Sequence, residues 1–395
     1  MEQKHAIDTI ITPHRRGACP TLDAPMQTGD GLLARVRIAG NRLAPAQLAE
    51  LARLAIAHGN GIVEVTARGN LQVRGLSPSS APLLASAAAN SLPIERGLVI
   101  DTSPLSGDDP LEQADPRPLM EAIRSAAAPM ADQLGPKVSV VVDGGGQISL
   151  ARLKADIRLV ALDTERWAVT LGGGKPQIMD ADGAVAATIA VLGALAALGV
   201  DARATDLFPA PSAGAAPSPS RGGPGWGASA LRTKTGHASP IALPFGQIHG
   251  AALIALAERA RSADVTTIRL APGHTLLLDN AAQSLIAQAA SLGFITTPND
   301  PRLNVSACIG SDGCASGHIP ARRLAESLAP HVPAGQHLHV SGCAKGCAHP
   351  RAADITLTGR ADGIGLVIQG RAGDTPSQIL DEAGLIPALA RREGR

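Results

Sequence analysis

Tyrosine is absent from these 395 residues, and the whole aromatic complement is Trp167, Trp226, Phe208, Phe245 and Phe294. A core must therefore be assembled from Ala, Val, Leu and Ile, and few rings remain on which nucleobases could stack. An excess of either charge is missing as well. The formal net charge is +1, which offers no general attraction for a phosphate backbone. Both absences argue against nucleic acid as a partner. A secretory signal is also lacking, because MEQKHAIDTIITPHRRGACP puts charge and Pro where an apolar run would be needed. The cytoplasm is the expected location. One long uncharged run exists, the eighteen residues Gly183 to Val200 between Asp182 and Asp201. It is mostly Ala and Gly with acidic flanks, so it reads as a buried helix and no membrane is expected.

What is present is more informative. A chain of 395 residues exceeds one ordinary core and is expected to be multidomain. AGAAPSPSRGGPGWGAS, Ala213 to Ser229, has the composition of a linker or surface insertion. On each side of it the same pattern recurs: strand, helix, two short strands, helix. VEVTARGNLQV aligns with IRLAPGHTLLL, placing Val65 against Leu270 and Arg68 against Gly273, as in a degenerate two-fold repeat. The expected class is α+β, with duplicated half-domains and mixed α/β segments. The expected segments are 25–110 and 239–300 for the two copies, 111–205 for a middle α/β unit and 206–238 for the linker. A cysteine-bearing domain at 301–375 and a C-terminal helix or tail at 376–395 complete the set.

Four of the five cysteines fall within forty residues, as C-x5-C in ACIGSDGCASG and C-x3-C in VSGCAKGCAHP. In a reducing compartment clustered thiols hold metal or do redox chemistry more often than they pair as disulfides. Cys308, Cys314, Cys343 and Cys347 make a four-ligand set, and the glycines among them let backbone approach a cluster closely. A four-iron, four-sulfur cluster is the leading reading. Structural zinc is the alternative, although its hooks are typically shorter. Cys19 stands alone and reads as a small core residue.

At these residues the chain resembles the nitrite and sulfite reductase family, the ferredoxin-like hemoproteins, whose cluster motif is C-x5-C followed by C-x3-C. VTARGNLQVRGL is similar to that family's pattern of T, x, Arg, a short gap, then Gln, x, x, Gly. The resemblance runs from about Gly29 to about Thr375. Within the family, RGACPTLDAPMQTGDGLLARV, DTSPLSGDDP, LPFGQIHGAAL and SGCAKGCAHPR look most like the branch that oxidises precorrin-3A in aerobic cobalamin biosynthesis. That resemblance implies a monooxygenase acting on a tetrapyrrole, with hydroxylation at a meso carbon and closure of a lactone from a ring acetate. It implies dioxygen as co-substrate and reduced nicotinamide as electron source, delivered through a partner reductase since no nicotinamide site is evident. The alternative is a siroheme-dependent nitrite or sulfite reductase.

The resemblance also implies site residues. Arg68, Arg96 and Lys137 fall at positions where the reductases grip siroheme carboxylates and the substrate anion, with Arg74 as a further candidate, whereas Ser139 replaces a reductase Lys. Gly172, Gly173 and Gly174 fall at a turn beside the tetrapyrrole; GGGKPQ is not a phosphate loop, because Pro176 follows Lys175. Asp143 to Gly146 reads as a plain turn. Siroheme and a separate iron centre are both left open, with His318 and His349 the histidines nearest the cysteines in sequence.

Overall fold

The computed structural model describes residues 19–209 and 230–390. Within them the chain builds four five-stranded sheets. In the first, Gly31–Val36, Leu71–Leu76 and Ile62–Val65 lie side by side with Met26–Thr28 at one edge. The helix Pro45–His58 has Pro in its first turn, and the Gln47 side chain accepts from the Ala44 amide at 2.9 Å. Its Leu48, Leu51, Leu54 and Ala55 are buried, the three-and-four spacing of one helical face. That face packs against the equivalent helix of the second copy, Gly250–Ser262.

The two copies are interlocked. The far edge of the first sheet is Gln247–His249, a strand of the second copy, paired with Ile62–Val65. Reciprocally, Arg42–Leu43 of the first copy pairs with Ile268–Ala271 of the second. One continuous apolar core serves both. Each sheet is thus completed by its neighbour.

The duplication extends further than the half-domains. The third sheet is Val99–Asp101, Ser139–Asp143, Ile157–Ala161, Trp167–Leu171 and Gln177–Met179, and the fourth is Val305–Ala307, Leu338–Ser341, Ala353–Arg360, Gly363–Gly370 and Gln378–Leu380. In both, the first two pairings are parallel and the last two antiparallel. Small details repeat too. Asp156 accepts from the Ser139 amide at 3.0 Å, and Asp354 from the His337 amide at 2.8 Å. Asp180 accepts from Gly183 at 2.8 Å and Asp381 from Gly384 at 2.9 Å, each at the start of the helix after the last strand.

Several segments fall differently from their sequence reading. Val99–Asp101, inside 25–110, pairs into the middle sheet because its parallel partner is Ser139–Asp143. Leu231–Thr233, inside 206–238, is an edge strand of the second copy, while Ala213 to Ser229 lies outside the described residues. The segment 376–395 supplies a strand, Gln378–Leu380, and the helix Glu382–Ala390. The helix Ala181–Leu198 is long and apolar enough to cross a membrane, but it buries only one face, Ala184, Thr188, Val191, Leu192 and Leu195, on the middle sheet. Its other face is open rather than buried.

Candidate functional site

The strands Val305–Ala307 and Leu338–Ser341 run parallel, so the loops after them leave the sheet at the same carboxyl end, where open α/β sheets collect ligands. Cys308 and Cys314 stand on the first loop, and Cys343 and Cys347 on the second. All four thiols line one hollow of about 2950 Å³. The Gly342 amide donates to Cys308 Sγ at 3.0 Å. A Cβ at Gly29 would come within 2.1 Å of Cys314 Sγ, so only glycine lets the turn of the first half-domain close over that cysteine. Gly346 holds the second loop at φ 61°, a left-handed conformation that favours glycine.

Cys347 faces the hollow, yet burial, followed by the neighbouring Cys308, Cys343 and Cys314, pushes its thiol pKa up. The four sulfurs therefore share one electrostatic neighbourhood. Among the described residues, however, no three His, Cys, Asp or Glu side chains converge closely enough to share one metal ion. Four thiols around one hollow are the donor set that a cubane takes, one thiolate at each iron corner. No three-ligand set for the separate iron centre is found among the described residues either.

The opposite wall of the hollow is the face of the first half-domain sheet carrying Arg35, Glu64, Gln72 and Arg74. Arg74 is already compensated. Its guanidinium grips Asp30 through two bonds of 2.8 and 2.7 Å and reaches Glu64 at 3.0 Å. Burial alone would raise the Asp30 pKa, but the bonds from Arg74 hold it below the usual carboxylate range. Glu64 also accepts from Gln247 and, with the Gln72 amide oriented to satisfy both neighbours, from Gln72 at 2.5 Å. Gln72 then accepts from Arg35 Nε and Nη2 at 3.1 and 3.0 Å. Among the described residues Arg35 has no carboxylate partner, so a half-buried guanidinium faces the hollow with only a neutral amide beside it.

Three histidines cluster at one end, His337 and His349 on the lining and His339 buried beside them. His337 Nε2 and His339 Nδ1 each lie 3.0 Å from Ser306 Oγ, and the His349 ring sits 4.9 Å from His337 and 5.6 Å from His339, centroid to centroid. Burial, then the neighbouring His349, lowers His337 to about 4 and His339 to about 3. His274 also lines the hollow. It donates through Nδ1 to the Val65 carbonyl at 2.6 Å, and burial lowers its pKa.

The cationic candidates from the sequence do not assemble here. Arg68 pairs with Asp101 and donates to the Lys154 carbonyl at 2.6 Å, bridging the first half-domain to the middle segment outside the hollow. Arg96 is an exposed side chain on Asp23 at 3.1 Å. Lys137 is exposed and stands away from the hollow. Gly172 to Gly174 form a structural corner, with Gly172 donating to Asp156 and Gly173 to Phe208, each at 2.8 Å. Of these candidates only Arg74 lines the hollow. Arg35, Gln247, His274 and His337 were missed. Alternation in LLARV marks Arg35 as facing opposite Ala34 and Val36, but nothing in the sequence says which face meets a ligand. Cys19 lines the hollow too, rather than sitting in a core.

Comparisons with known proteins bear on the family and the fold. Residues 24–90 match the Nitrite/Sulfite reductase ferredoxin-like half domain. The chain is 40% identical to a precorrin-3B synthase from Sinorhizobium sp, over 96% of this chain and 89% of that one. It is 30% identical to sulfite reductase [ferredoxin] 2 of Mycolicibacterium paratuberculosis, over 33% of this chain and 26% of the relative. The fold resembles the structure of Mycobacterium tuberculosis NirA protein, with a TM-score of 0.65 and 19% identity over 91% of this chain and 80% of that one.

Proposed function

The chain belongs to the precorrin-3B synthase family, within the nitrite and sulfite reductase ferredoxin-like proteins, and from that premise we propose that its hollow binds precorrin-3A and oxidises it to precorrin-3B. The reaction is a monooxygenation: dioxygen, two electrons and two protons place one oxygen atom on a meso carbon and release the other as water, with a ring acetate closing a lactone. Reduced nicotinamide is the ultimate electron source, acting through a reductase, and the reducing cytoplasm keeps the thiols available for iron. The observation that carries the reading is the meeting of four cysteines and an uncompensated arginine around one hollow.

Cys308, Cys314, Cys343 and Cys347 hold the four-iron, four-sulfur cluster. When bound, it supplies electrons singly to the reacting centre. The protein's own residues do the rest. Arg35 receives a macrocycle carboxylate, because its planar fork pairs two oxygens at once and stays charged when desolvated. Arg351, exposed on the rim, takes a second. Gln72 fixes the Arg35 fork, and the Arg74, Asp30 and Glu64 set keeps that wall rigid. Neutral His274 and His337 line the site without adding charge. The cations that match reductase positions, Arg68, Arg96 and Lys137, stand outside the hollow, with Arg68 held by Asp101, which favours a substrate macrocycle over a siroheme and small-anion site. The test is aerobic turnover under labelled dioxygen. One labelled atom should enter the product, and robust six-electron reduction of sulfite or nitrite, with siroheme bands in the spectrum, would overturn the assignment.

A further inference from the structure

The exchanged edge strands match the two copies residue by residue. Leu43 pairs with Ile268 in one sheet and Ile248 with Val63 in the other, so Arg42 corresponds to Gln247 and Gly40 to Phe245. Counting on from Val65 and Leu270, Gly69 corresponds to His274. Gly40 and Gly69 are left-handed, at φ 64° and 85°, and the second copy keeps both conformations with side chains in place, Phe245 at 55° and His274 at 64°. Glycine adopts this backbone freely, whereas other residues do so at a steric cost. Such outliers point to a use for the side chain. Phe245 has an evident one, since it packs against the apolar core of the cluster segment. His274 lies in no apolar core and lines the hollow instead.

One of its ring nitrogens is already committed. Nδ1 donates to the Val65 carbonyl at 2.6 Å, and the turn beside it is so close that a Cβ at Gly246 would stand 2.5 Å from that nitrogen. With the proton on Nδ1, Nε2 presents a bare lone pair, and no donor reaches it among the described residues. Gln247, next to the same turn, lines the hollow at 5% exposure, and its Oε1 also lacks a donor. The first copy has Arg42 at that place, paired with Asp108 at 3.0 Å. The second-copy wall thus offers lone pairs without charge. A carboxylate gains nothing there, but an N–H group finds an acceptor. We propose that His274, seconded by Gln247, is a specificity-determining residue that accepts a hydrogen bond from the ring N–H groups of a metal-free tetrapyrrole. The inference rests on the tetrapyrrole reading above and deepens it. Arg35 takes carboxylates, and the opposite copy takes the face of the ring. A macrocycle whose nitrogens already hold a metal satisfies the first wall and leaves the acceptors of the second unpaired, which is how a buried polar group discriminates.

The experiment titrates the full-length, cluster-loaded protein with uroporphyrin III and with its copper(II) complex, followed by difference absorbance. The complex keeps every carboxylate, has no ring N–H, and its square-planar metal has little call for a fifth ligand. Wild-type protein should bind the metal-free ring about five-fold more tightly, the worth of one neutral hydrogen bond. His274→Asn should abolish that preference, because asparagine tolerates left-handed backbone and keeps a donor for Val65 while withdrawing the acceptor at Nε2. His274→Gly, matching the first copy, should do the same, and urea unfolding checks that both variants are folded. Arg35→Ala should weaken both ligands alike. Failure of the wild type to bind either ring would overturn the tetrapyrrole reading itself. Equal binding of the two rings by the wild type, or a preference that survives in His274→Asn or His274→Gly, would overturn the role of His274 and leave the tetrapyrrole reading intact.

Discussion

At the scale of single residues, the site is defined by which charges the protein has already satisfied. Arg74, Arg68 and Arg96 each have a carboxylate at hand, whereas Arg35 has an amide. Replacing Arg35 by Ala should therefore weaken macrocycle binding by about 2 kcal/mol, roughly thirty-fold in Kd, which is the lower end for a desolvated charge losing its partner. Arg96→Ala, on an exposed pair, should leave binding unchanged; fluorescence or absorbance titration with a tetrapyrrole carboxylate distinguishes them. Cysteine offers a similar contrast. Single Ser variants of Cys308, Cys314, Cys343 and Cys347 should lose iron and labile sulfide on chemical analysis. Cys19→Ser should retain both, a demanding comparison because Cys19 lines the same hollow.

At the scale of elements, the strand Leu338–Ser341 and His337 just before it carry a pH dependence. In the fold His337 titrates near about 4 and His339 near about 3, against about 6.5 for an unfolded histidine. Between those values the unfolded chain binds more protons than the native one, so stability is fully present above 6.5 and falls as the pH drops through that window. For the fully buried His339 the slope approaches about 1.4 kcal/mol per pH unit. Urea unfolding at pH 7 and pH 5 should show the loss, and His339→Asn should lessen it, leaving the part that His337 contributes. The elements also explain what could be read in advance. The cysteine loops were legible because thiols at fixed spacing are rare, and the half-domain repeat because apolar alternation survives divergence. Its ion pairs did not. Glu64 faces Arg74 across two strands in the first copy, whereas Arg269 faces Asp279 in the second, the same bridge with its charges exchanged. Arg68 could not be excluded from the site by sequence, since Asp101, which claims it, lies 33 residues away.

At the scale of the molecule, the middle segment is a cysteine-free twin of the cluster segment. Counting from matched registers, Ile100 with Val140 and Val305 with Leu338, Ser103 occupies the place of Cys308 and Gly145 that of Cys343. No identity advertises this, so the sequence showed two unrelated α/β stretches. The twin's loops are packed rather than open. Leu105, Ile148, Leu150 and Leu153 form a core with Leu231, Ala238, Ala271 and Leu277 of the second copy. Leu105→Ala, at a fully buried position, should destabilise the protein by about 2–5 kcal/mol in urea unfolding, with an unchanged cluster spectrum. The exchanged edge strands carry a different consequence, for synthesis on the ribosome. The sheet begun by Met26–Thr28 and continued through Leu71–Leu76 stays one strand short until Gln247–His249 emerges. At about 5–20 residues per second, the intervening stretch takes roughly ten to thirty seconds to translate. Throughout that interval Ile62–Val65 is an unpaired, apolar edge on a nascent chain, the kind of surface that recruits other strands. Yield should therefore depend on elongation rate and on chaperones that shield this one edge, long before any iron is inserted.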